Sequence, residues 1–197
     1  MVRIVITGGI ACGKTLFCTY LSQLGFDILD CDFVVHSLES SGGAAVASIQ
    51  REFGDAVILK DGSVDRKKLG NLIFSDRKQR DRLNAIMHPL VEERVEGWLQ
   101  GAHTGIPVVV IPLLFELGWE HRYDCIVTLV SDRQLQIKRL VNARGCTVQE
   151  AKMRLAAQLP ASEKVLRSDI VVINNGSAEV LRKEAQRVSR LLKKRYE

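Results

Sequence analysis

The sequence lacks the features of disulfide-stabilised, zinc-binding and membrane-spanning proteins. Its five cysteines are odd in number and contain no C-x-x-C pair, so neither a disulfide framework nor a structural zinc site is predicted. No stretch reaches the apolar length of a membrane span, and the N-terminus enters a strand pattern without the pattern of a signal peptide. We therefore expect a cytoplasmic protein with no membrane partner.

Acidic residues are outnumbered, with 23 Asp and Glu against 28 Lys and Arg, and the net charge is +5. A basic balance suits nucleotides and also nucleic acid. The basic cluster on the predicted C-terminal helix is typical of a solvated helix face, and no RNA-binding aromatic pattern is present. We expect no nucleic-acid partner. The 197 residues, 46% of them hydrophobic, predict one globular core with an inserted lobe. The sequence does not give the oligomeric state, and we favour a monomer.

The chain is organised around a glycine-rich loop. Residues 8–15 read Gly8, Gly9, Ile10, Ala11, Cys12, Gly13, Lys14 and Thr15. Two glycines separated by four residues and followed by Lys-Thr form the pattern of a phosphate-binding loop. A β-branched run at residues 2–6 precedes it and helical apolar spacing at residues 16–24 follows. A strand is therefore predicted to lead into a turn that opens a helix.

This arrangement suits the polyphosphate of ATP. Backbone N–H groups of residues 8–15 would point at the anion, and the helix dipole adds positive potential at the same place. Lys14 would reach the β- and γ-phosphates, and the Thr15 hydroxyl would hold Mg²⁺. We predict that residues 8–15 bind ATP, that Mg²⁺ is the cofactor and that Lys14 is also catalytic.

Cys12 lies inside this loop and has two interpretations. In the first, its position beside Lys14 at a helix N-terminus favours the thiolate, which reacts in the free protein and is shielded by bound ATP. In the second, Cys12 is an inert small residue that fills the loop.

Two carboxylates, Asp30 and Asp32, follow the second predicted strand, which spans residues 26–29. In an open α/β sheet, ligands bind at the carboxyl ends of the strands. We predict that Asp32 binds the acceptor and acts as general base for its hydroxyl group. Asp30 is predicted to point to the same side of an extended segment and to contact the metal through water. The alternative is that Asp32 is the N-cap of the following helix.

Residues 33–105 are mostly helical in pattern, which exceeds what a crossover between two strands needs. Helices are predicted at residues 44–53, 66–74 and 76–100. We interpret this insertion as a lobe that holds the acceptor, with Arg66 and His88 as candidate substrate-binding residues. The pair His88-Pro89 is predicted to interrupt or kink the longest helix.

Three apolar runs without polar alternation fit strands of a parallel sheet that is covered on both faces. They lie at residues 106–114, 123–130 and 170–173. Capping-box patterns at residues 131–134 and 147–150 open two short helices between the last two strands. Asn175, after the last strand, is predicted to contact the nucleotide base.

The two short helices are predicted to form a lid over about residues 139–160. They carry Arg139 and Arg144, which we predict to be catalytic because a closing lid would bring guanidinium groups to the transferring phosphoryl group. An ordinary helical hairpin with exposed arginines is the alternative.

Together these elements predict an α/β fold, a three-layer α/β/α parallel sheet of P-loop NTPase type. Residues 1–32 and 106–197 are predicted to form the nucleotide-binding core, which includes the lid. Residues 33–105 are predicted to form the helical acceptor lobe.

Longer motifs along essentially the whole chain resemble those of the dephospho-CoA kinase family. They lie at residues 7–15, 30–32, 65–69, 86–89, 112–116, 139–144 and 158–160, with Arg154 between the last two. The resemblance implies transfer of the ATP γ-phosphoryl group to the ribose 3′-hydroxyl of dephospho-CoA with Mg²⁺, the last step of coenzyme A biosynthesis. It assigns ATP binding to residues 8–15, the general base to Asp32 and the lid to Arg139 and Arg144.

Three other functions are weighed against this one. A nucleoside or nucleoside-monophosphate kinase would share the loop, lid and insertion, and its acceptor would differ. A regulatory GTP-binding switch would need an Asn-Lys-x-Asp segment, which the sequence lacks. A nucleic-acid-binding protein that uses ATP as a ligand is supported only by the basic C-terminal helix.

Overall fold

The computed structural model describes residues 2–74 and 76–196, without the side chains of Arg144 and Tyr196. The chain divides into two compact units. The core unit comprises Met1–Ile28 and Ala102–Glu197, and the helical unit comprises Leu29–Gly101. The predicted boundaries, after residues 32 and 105, each lie four residues beyond these divisions.

Across the described residues, five strands form one sheet in the order β2-β3-β1-β4-β5. They are β1 (Ile4–Gly8), β2 (Phe26–Asp30), β3 (Ile106–Val110), β4 (Cys125–Val130) and β5 (Ile170–Ile173). The pairs β1–β3, β1–β4 and β4–β5 are parallel. The central strand β1 therefore places the start of the phosphate loop, residues 8–15, at the carboxyl edge of the sheet.

Strand β3 is shorter than the predicted run at residues 106–114. Ile111 makes the last ladder contact, donating its N–H to the carbonyl of Ile6 at 3.0 Å. Pro112 follows and has no N–H to donate, so the ladder ends there.

Helices make up most of the remaining described chain. They are α1 (Lys14–Gln23), α2 (Cys31–Glu39), α3 (Val46–Phe53), α4 (Arg66–Phe74), α5 (Arg77–Gln100), α6 (Arg133–Arg144), α7 (Val148–Ala156), α8 (Ala161–Leu166) and α9 (Ala178–Tyr196). Short 3₁₀ turns lie at Asp55–Val57 and Glu120–Arg122. None of the described helices is long and apolar enough to cross a membrane.

Helix α5 corrects the prediction that His88-Pro89 interrupts the longest helix. It is one continuous helix with Pro89 inside it. Proline removes one N–H, which in a regular helix would bond the carbonyl of Ala85. Both Ala85 and Pro89 are exposed, so water can hydrate that carbonyl and the helix continues.

Two helix starts test the capping patterns. The box at residues 147–150 is confirmed, with Thr147 and Glu150 capping each other reciprocally. The box at residues 131–134 is wrong, because α6 has Asp132 as its N-cap without a side-chain cap bond. The Ser131 hydroxyl instead donates to the carbonyl of Asn174 at 2.7 Å. Helix α8 has no counterpart in the sequence prediction.

The main apolar core lies where α1 and α9 pack on one face of the sheet. Phe17 and Leu21 of α1 and Leu181 and Leu192 of α9 are almost fully buried against the strands. On the opposite face of β1, Val5 is also fully buried. Both faces of the sheet are therefore covered, as the apolar strand runs predict.

Candidate active site

The phosphate loop has a backbone that only glycine can supply at two positions. Gly8 has φ of 145° and Gly13 has φ of 90°. A Cβ on Gly8 would lie 2.3 Å from the carbonyl oxygen of Leu129, and one on Gly13 would lie 2.3 Å from Asn174 Nδ2. The loop therefore fits closely between its neighbours, and Ala11 completes the turn in the left-handed region at φ of 59°.

Lys14 and Thr15 lie in the first turn of α1. The Lys14 ammonium donates to the carbonyls of Gly8 at 2.8 Å and Gly9 at 3.0 Å. The Thr15 side chain is exposed. This turn carries the positive end of the helix dipole, so a cation, a hydroxyl group and the dipole are brought together beside the loop.

Three consecutive carbonyls of the loop accept hydrogen bonds from side chains that are distant in sequence. The donors are Gln136 to Ile10 (2.7 Å), Arg139 to Ala11 (3.2 Å) and Asn174 to Cys12 (2.9 Å). In a trans peptide the N–H points away from the C=O of the same plane. These bonds therefore turn the amides of Ala11 and Gly13 toward the opposite side of the loop, where an anion would bind.

Arg139 is held on the carbonyl side of the loop. Besides its bond to Ala11, its guanidinium group donates to Ser131 Oγ at 3.0 Å and to the carbonyl of Asn174 at 3.1 Å. The predicted partner in the lid, Arg144, ends α6, and its side chain lies outside the described part of the structure.

The helices predicted as a lid pack on the loop through a small apolar cluster. Leu140, Cys146 and Ala151 are its buried members, and Ile10 and Ala11 of the loop pack against them. Helix α6 ends at Gly145, which takes the left-handed conformation with φ of 60°. The phosphate loop and helices α6 and α7 thus share one core.

The structure distinguishes between the two interpretations of Cys12. Its side chain is only 2% exposed, and Gln136 Nε2 lies 3.2 Å from its sulfur. Burial raises the pKa of the Cys12 thiol and outweighs the opposing effect of Lys14. A raised pKa disfavours the thiolate, so the structure supports the second interpretation, an inert residue that fills the loop.

Asn175 lies where strands β4 and β5 end. Its Oδ1 accepts the N–H of Asp132 at 2.8 Å, and the Asn174 N–H donates to the carbonyl of Val130 at 2.8 Å. These bonds fix the loop after β5 at the carboxyl edge of the sheet, the same edge as the phosphate loop.

The sequence predicted that Asp30 and Asp32 lie on one side of an extended segment, and this prediction is wrong. Asp30 is the N-cap of α2, and its Oδ1 accepts the N–H of Asp32 at 2.9 Å. Asp32 belongs to the first turn of that helix and its side chain is exposed. The residue that caps the helix is therefore Asp30, and the alternative that gave this role to Asp32 is wrong.

Asp32 and Arg66 line one cavity of about 410 Å³ within the helical unit. Arg66 Nε donates to Glu39 Oε2 at 2.7 Å, and Glu39 also lines the cavity. Val35 and Leu69 supply apolar lining. His88, half-buried on α5, is not among the described residues that line it. The cavity thus combines a carboxylate, a guanidinium group and an apolar wall.

Within residues 2–74 and 76–196, no group of three or more His, Cys, Asp or Glu side chains could hold a metal ion. A hard cation that keeps most of its waters and binds through a hydroxyl group and phosphate oxygens needs no such group. The exposed hydroxyl of Thr15 fits that mode of binding.

Comparison with known proteins adds to this geometry. The dephospho-CoA kinase family model matches residues 2–179. The chain belongs to the dephospho-CoA kinase family. A dephospho-CoA kinase from Shouchella clausii is 38% identical over 181 residues, which cover 90% of this chain and 91% of the relative.

Solved structures resemble this dephospho-CoA kinase family member over nearly its whole length. A Thermus thermophilus protein superposes with a TM-score of 0.83 at 30% identity, covering 95% of this chain and 97% of the other. A shikimate kinase from Acinetobacter baumannii has a TM-score of 0.55 at 14% identity, covering 99% of this chain and 95% of that one. The latter supports the fold alone, a P-loop kinase fold with a parallel sheet between helices, as the sequence predicted.

The sequence assigned no role to Gln136 or to Asn174, which hold the loop of this dephospho-CoA kinase family member. Neither belongs to a local pattern with the loop, since they lie 126 and 162 positions from their partners. The only signal available was position, because both follow strands whose carboxyl ends lie at the edge where ligands bind.

Proposed function

We propose that this protein transfers the γ-phosphoryl group of ATP to the ribose 3′-hydroxyl of dephospho-CoA, giving coenzyme A and ADP. The observation that carries the proposal is the phosphate loop, whose carbonyls are held away from the anion side by Gln136, Arg139 and Asn174. The family match over residues 2–179 supports the choice of acceptor.

In this proposal, residues 8–15 bind the phosphates of ATP through their backbone amides. Lys14 leaves the loop carbonyls to neutralise charge on the β- and γ-phosphates, and Thr15 holds Mg²⁺. When bound, Mg²⁺ supplies further neutralisation of the transferring phosphoryl group. Asn175 contacts the nucleotide base from the loop after β5.

On the acceptor side, Asp32 accepts the proton of the 3′-hydroxyl as that oxygen bonds to phosphorus. Arg66, kept in place by Glu39, binds an acceptor phosphate. His88, which is not among the described residues that line the cavity beside Arg66, binds a part of the acceptor that extends beyond it. Asp30 orients water on the metal ion with the carboxylate oxygen that does not cap α2. The cavity beside Asp32 and Arg66 is the place we assign to the acceptor.

Helices α6 and α7 act as the lid in this scheme. Arg139 stabilises the loop from its carbonyl side and so directs the loop amides toward the phosphates, and Arg144 completes the positive surface. Closure excludes water, so that transfer to the acceptor is favoured over hydrolysis.

The experiment is a measurement of ADP release from MgATP with dephospho-CoA as acceptor. AMP, CMP, adenosine and a reaction without acceptor are run in parallel. The proposal predicts rapid ADP release only when dephospho-CoA is the acceptor, together with a product that has the mass of coenzyme A. Comparable turnover with AMP or CMP would support a nucleoside-monophosphate kinase instead, and no release with any acceptor would contradict kinase activity.

A further inference from the structure

Two motif segments that the proposed mechanism does not use meet behind the phosphate loop. Glu116, after β3, and Leu159, after α7, are joined by a hydrogen bond in which the Leu159 N–H donates to Glu116 Oε1 at 3.0 Å. The same carboxylate oxygen lies 2.7 Å from Lys164 Nζ on α8. All three residues belong to the core unit.

This ion pair is largely removed from water. The Lys164 side chain is 2% exposed and that of Glu116 is 18% exposed. A buried pair costs desolvation, and an apolar pair of similar volume would often serve stability as well. A role beyond stability is therefore worth testing.

Gln158, the residue before Leu159, connects this pair to the loop. Its Oε1 accepts the N–H of Ile10 at 2.9 Å, while Gln136 donates to the carbonyl of Ile10 at 2.7 Å. Both polar backbone groups of Ile10 are thus bonded to side-chain amides. The two glutamine side chains thus contact the N-terminal half of the loop. The backbone N–H groups that face the anion follow this contact in the chain.

We propose that Glu116, Lys164 and Gln158, here called the loop anchor, are positioning residues for the nucleotide. The Glu116–Lys164 pair fixes the backbone at Leu159, which places the Gln158 amide against Ile10. That contact sets the peptide plane of Ile10 and hence the direction of the amides that follow. The anchor acts on nucleotide affinity and not on the acceptor, and it rests on the proposed function only in that ATP is the nucleotide.

The structure offers a matched control for the anchor pair. Glu120 lies four residues after Glu116, and Arg167 lies three residues after Lys164; these two form a second ion pair. Arg167 also lies over the Phe115 ring, 4.8 Å from its centroid. None of the hydrogen bonds among the described residues joins this control pair to the phosphate loop. Glu120→Gln therefore removes an ion pair of similar location without touching the anchor.

The test measures MgADP binding by calorimetry, together with the KM values of both substrates. Glu116→Gln keeps an acceptor for the Leu159 N–H but loses the carboxylate charge and the ion pair with Lys164. It is expected to weaken MgADP binding and raise the KM for ATP by about tenfold, because the bond that places Gln158 loses its charge assistance. The KM for dephospho-CoA stays within about twofold of the unmodified protein. Glu120→Gln is expected to leave all three values unchanged. Equal effects of the two variants on MgADP binding would overturn the proposal.

Two further variants separate positioning from stability. Glu116→Gln alone leaves the buried Lys164 ammonium group without its counter-charge and is expected to lower thermal stability. Glu116→Gln combined with Lys164→Met removes both charges, so it is expected to recover thermal stability without restoring MgADP affinity. Gln158→Leu removes only the contact to Ile10 and is expected to weaken MgADP binding as Glu116→Gln does. Gln149→Leu, on the exposed face of α7, is its control.

Unchanged MgADP binding in Gln158→Leu would also overturn the proposal, whether or not Glu116→Gln folds. The binding measurement needs no acceptor. A wrong acceptor assignment would therefore leave the nucleotide result intact, whereas a wrong anchor assignment would leave turnover with dephospho-CoA intact and remove the difference between Glu116→Gln and Glu120→Gln.

Discussion

The core unit and the helical unit hold their candidate functional groups in different ways. In the core unit, the phosphate loop is bonded on its carbonyl side by three side chains from two remote parts of the chain, helix α6 and the loop after β5. In the helical unit, Asp32 is exposed and Arg66 relies on an ion pair with Glu39. A preorganised loop stabilises charge without reorganising during the reaction. Under the proposed function, this difference predicts that the nucleotide site is formed before binding and that the acceptor site is completed by its substrate.

Lys14→Ala tests the preorganised side most severely. It removes the cation that we place on the transferring phosphates, and we expect turnover to fall about 10³-fold. Steady-state ADP release measures the effect, with Lys138→Ala on the exposed part of α6 as control. A loss below about tenfold would show that the loop backbone alone carries the charge stabilisation.

Asp32→Asn tests the acceptor side. Loss of the general base is expected to lower kcat about 10²-fold, while the Kd for MgATP stays within about twofold. The exposed Asp81 of the same unit gives the matched control, Asp81→Asn. If kcat of Asp32→Asn equals that of the unmodified protein, Asp32 is not the base.

Arg66→Ala sharpens the comparison by separating acceptor binding from nucleotide binding. We expect the KM for dephospho-CoA to rise about tenfold because a charged contact is lost, with the KM for ATP unchanged. Arg82 is the control, since it pairs with Glu52 at 3.1 Å in the same unit. Arg82→Ala should change neither KM, and a parallel rise in both KM values for Arg66→Ala would contradict the assignment.

The smallest expected effect is that of the Cys31 thiol on the pH dependence of protein stability. Burial, and then the charges of Asp30 and Asp32, raise its pKa from 9.0 to about 12. Above pH 9 the unfolded state loses this proton while the folded state keeps it, so stability falls by about 1.4 kcal/mol per pH unit up to the folded pKa. Below pH 9 both states hold the proton, so Cys31 causes no loss of stability there.

The free energy of unfolding, followed by urea titration at pH 8, 9 and 10, measures this slope. Cys31→Ala should fall less steeply between pH 9 and 10 than the unmodified protein. Parallel slopes would mean that the thiol is hydrated in the folded state. Cys12→Ala, in the core unit, offers a second comparison because burial raises the pKa of that thiol in the same direction.

Sequence reasoning succeeded where the signal was local. The strand, glycine loop and helix at residues 4–23 and the Thr147–Glu150 box follow from spacing alone. It failed where tertiary contacts decided the outcome. Hydration of an exposed helix face lets α5 continue past Pro89. For Cys12 the sequence left two interpretations open, and burial of the side chain, which spacing does not show, decides between them.

The residues behind the loop illustrate the same limit. Gln136 and Asn174 act on carbonyl groups more than a hundred positions away, and a single sequence contains no pattern that pairs them. Glu116 and Gln158 stood in family motifs without a role, and the geometry of the folded chain was needed to connect them through Leu159.

The position of the transferred phosphoryl group tests the central claim most directly. Dephospho-CoA is compared with its 2′-deoxy and 3′-deoxy ribose analogues as acceptors for MgATP, with product mass and ³¹P NMR as readouts. The proposed function predicts that dephospho-CoA and the 2′-deoxy analogue each gain one phosphate at the 3′ position and that the 3′-deoxy analogue gains none. Phosphorylation of the 3′-deoxy analogue would contradict it.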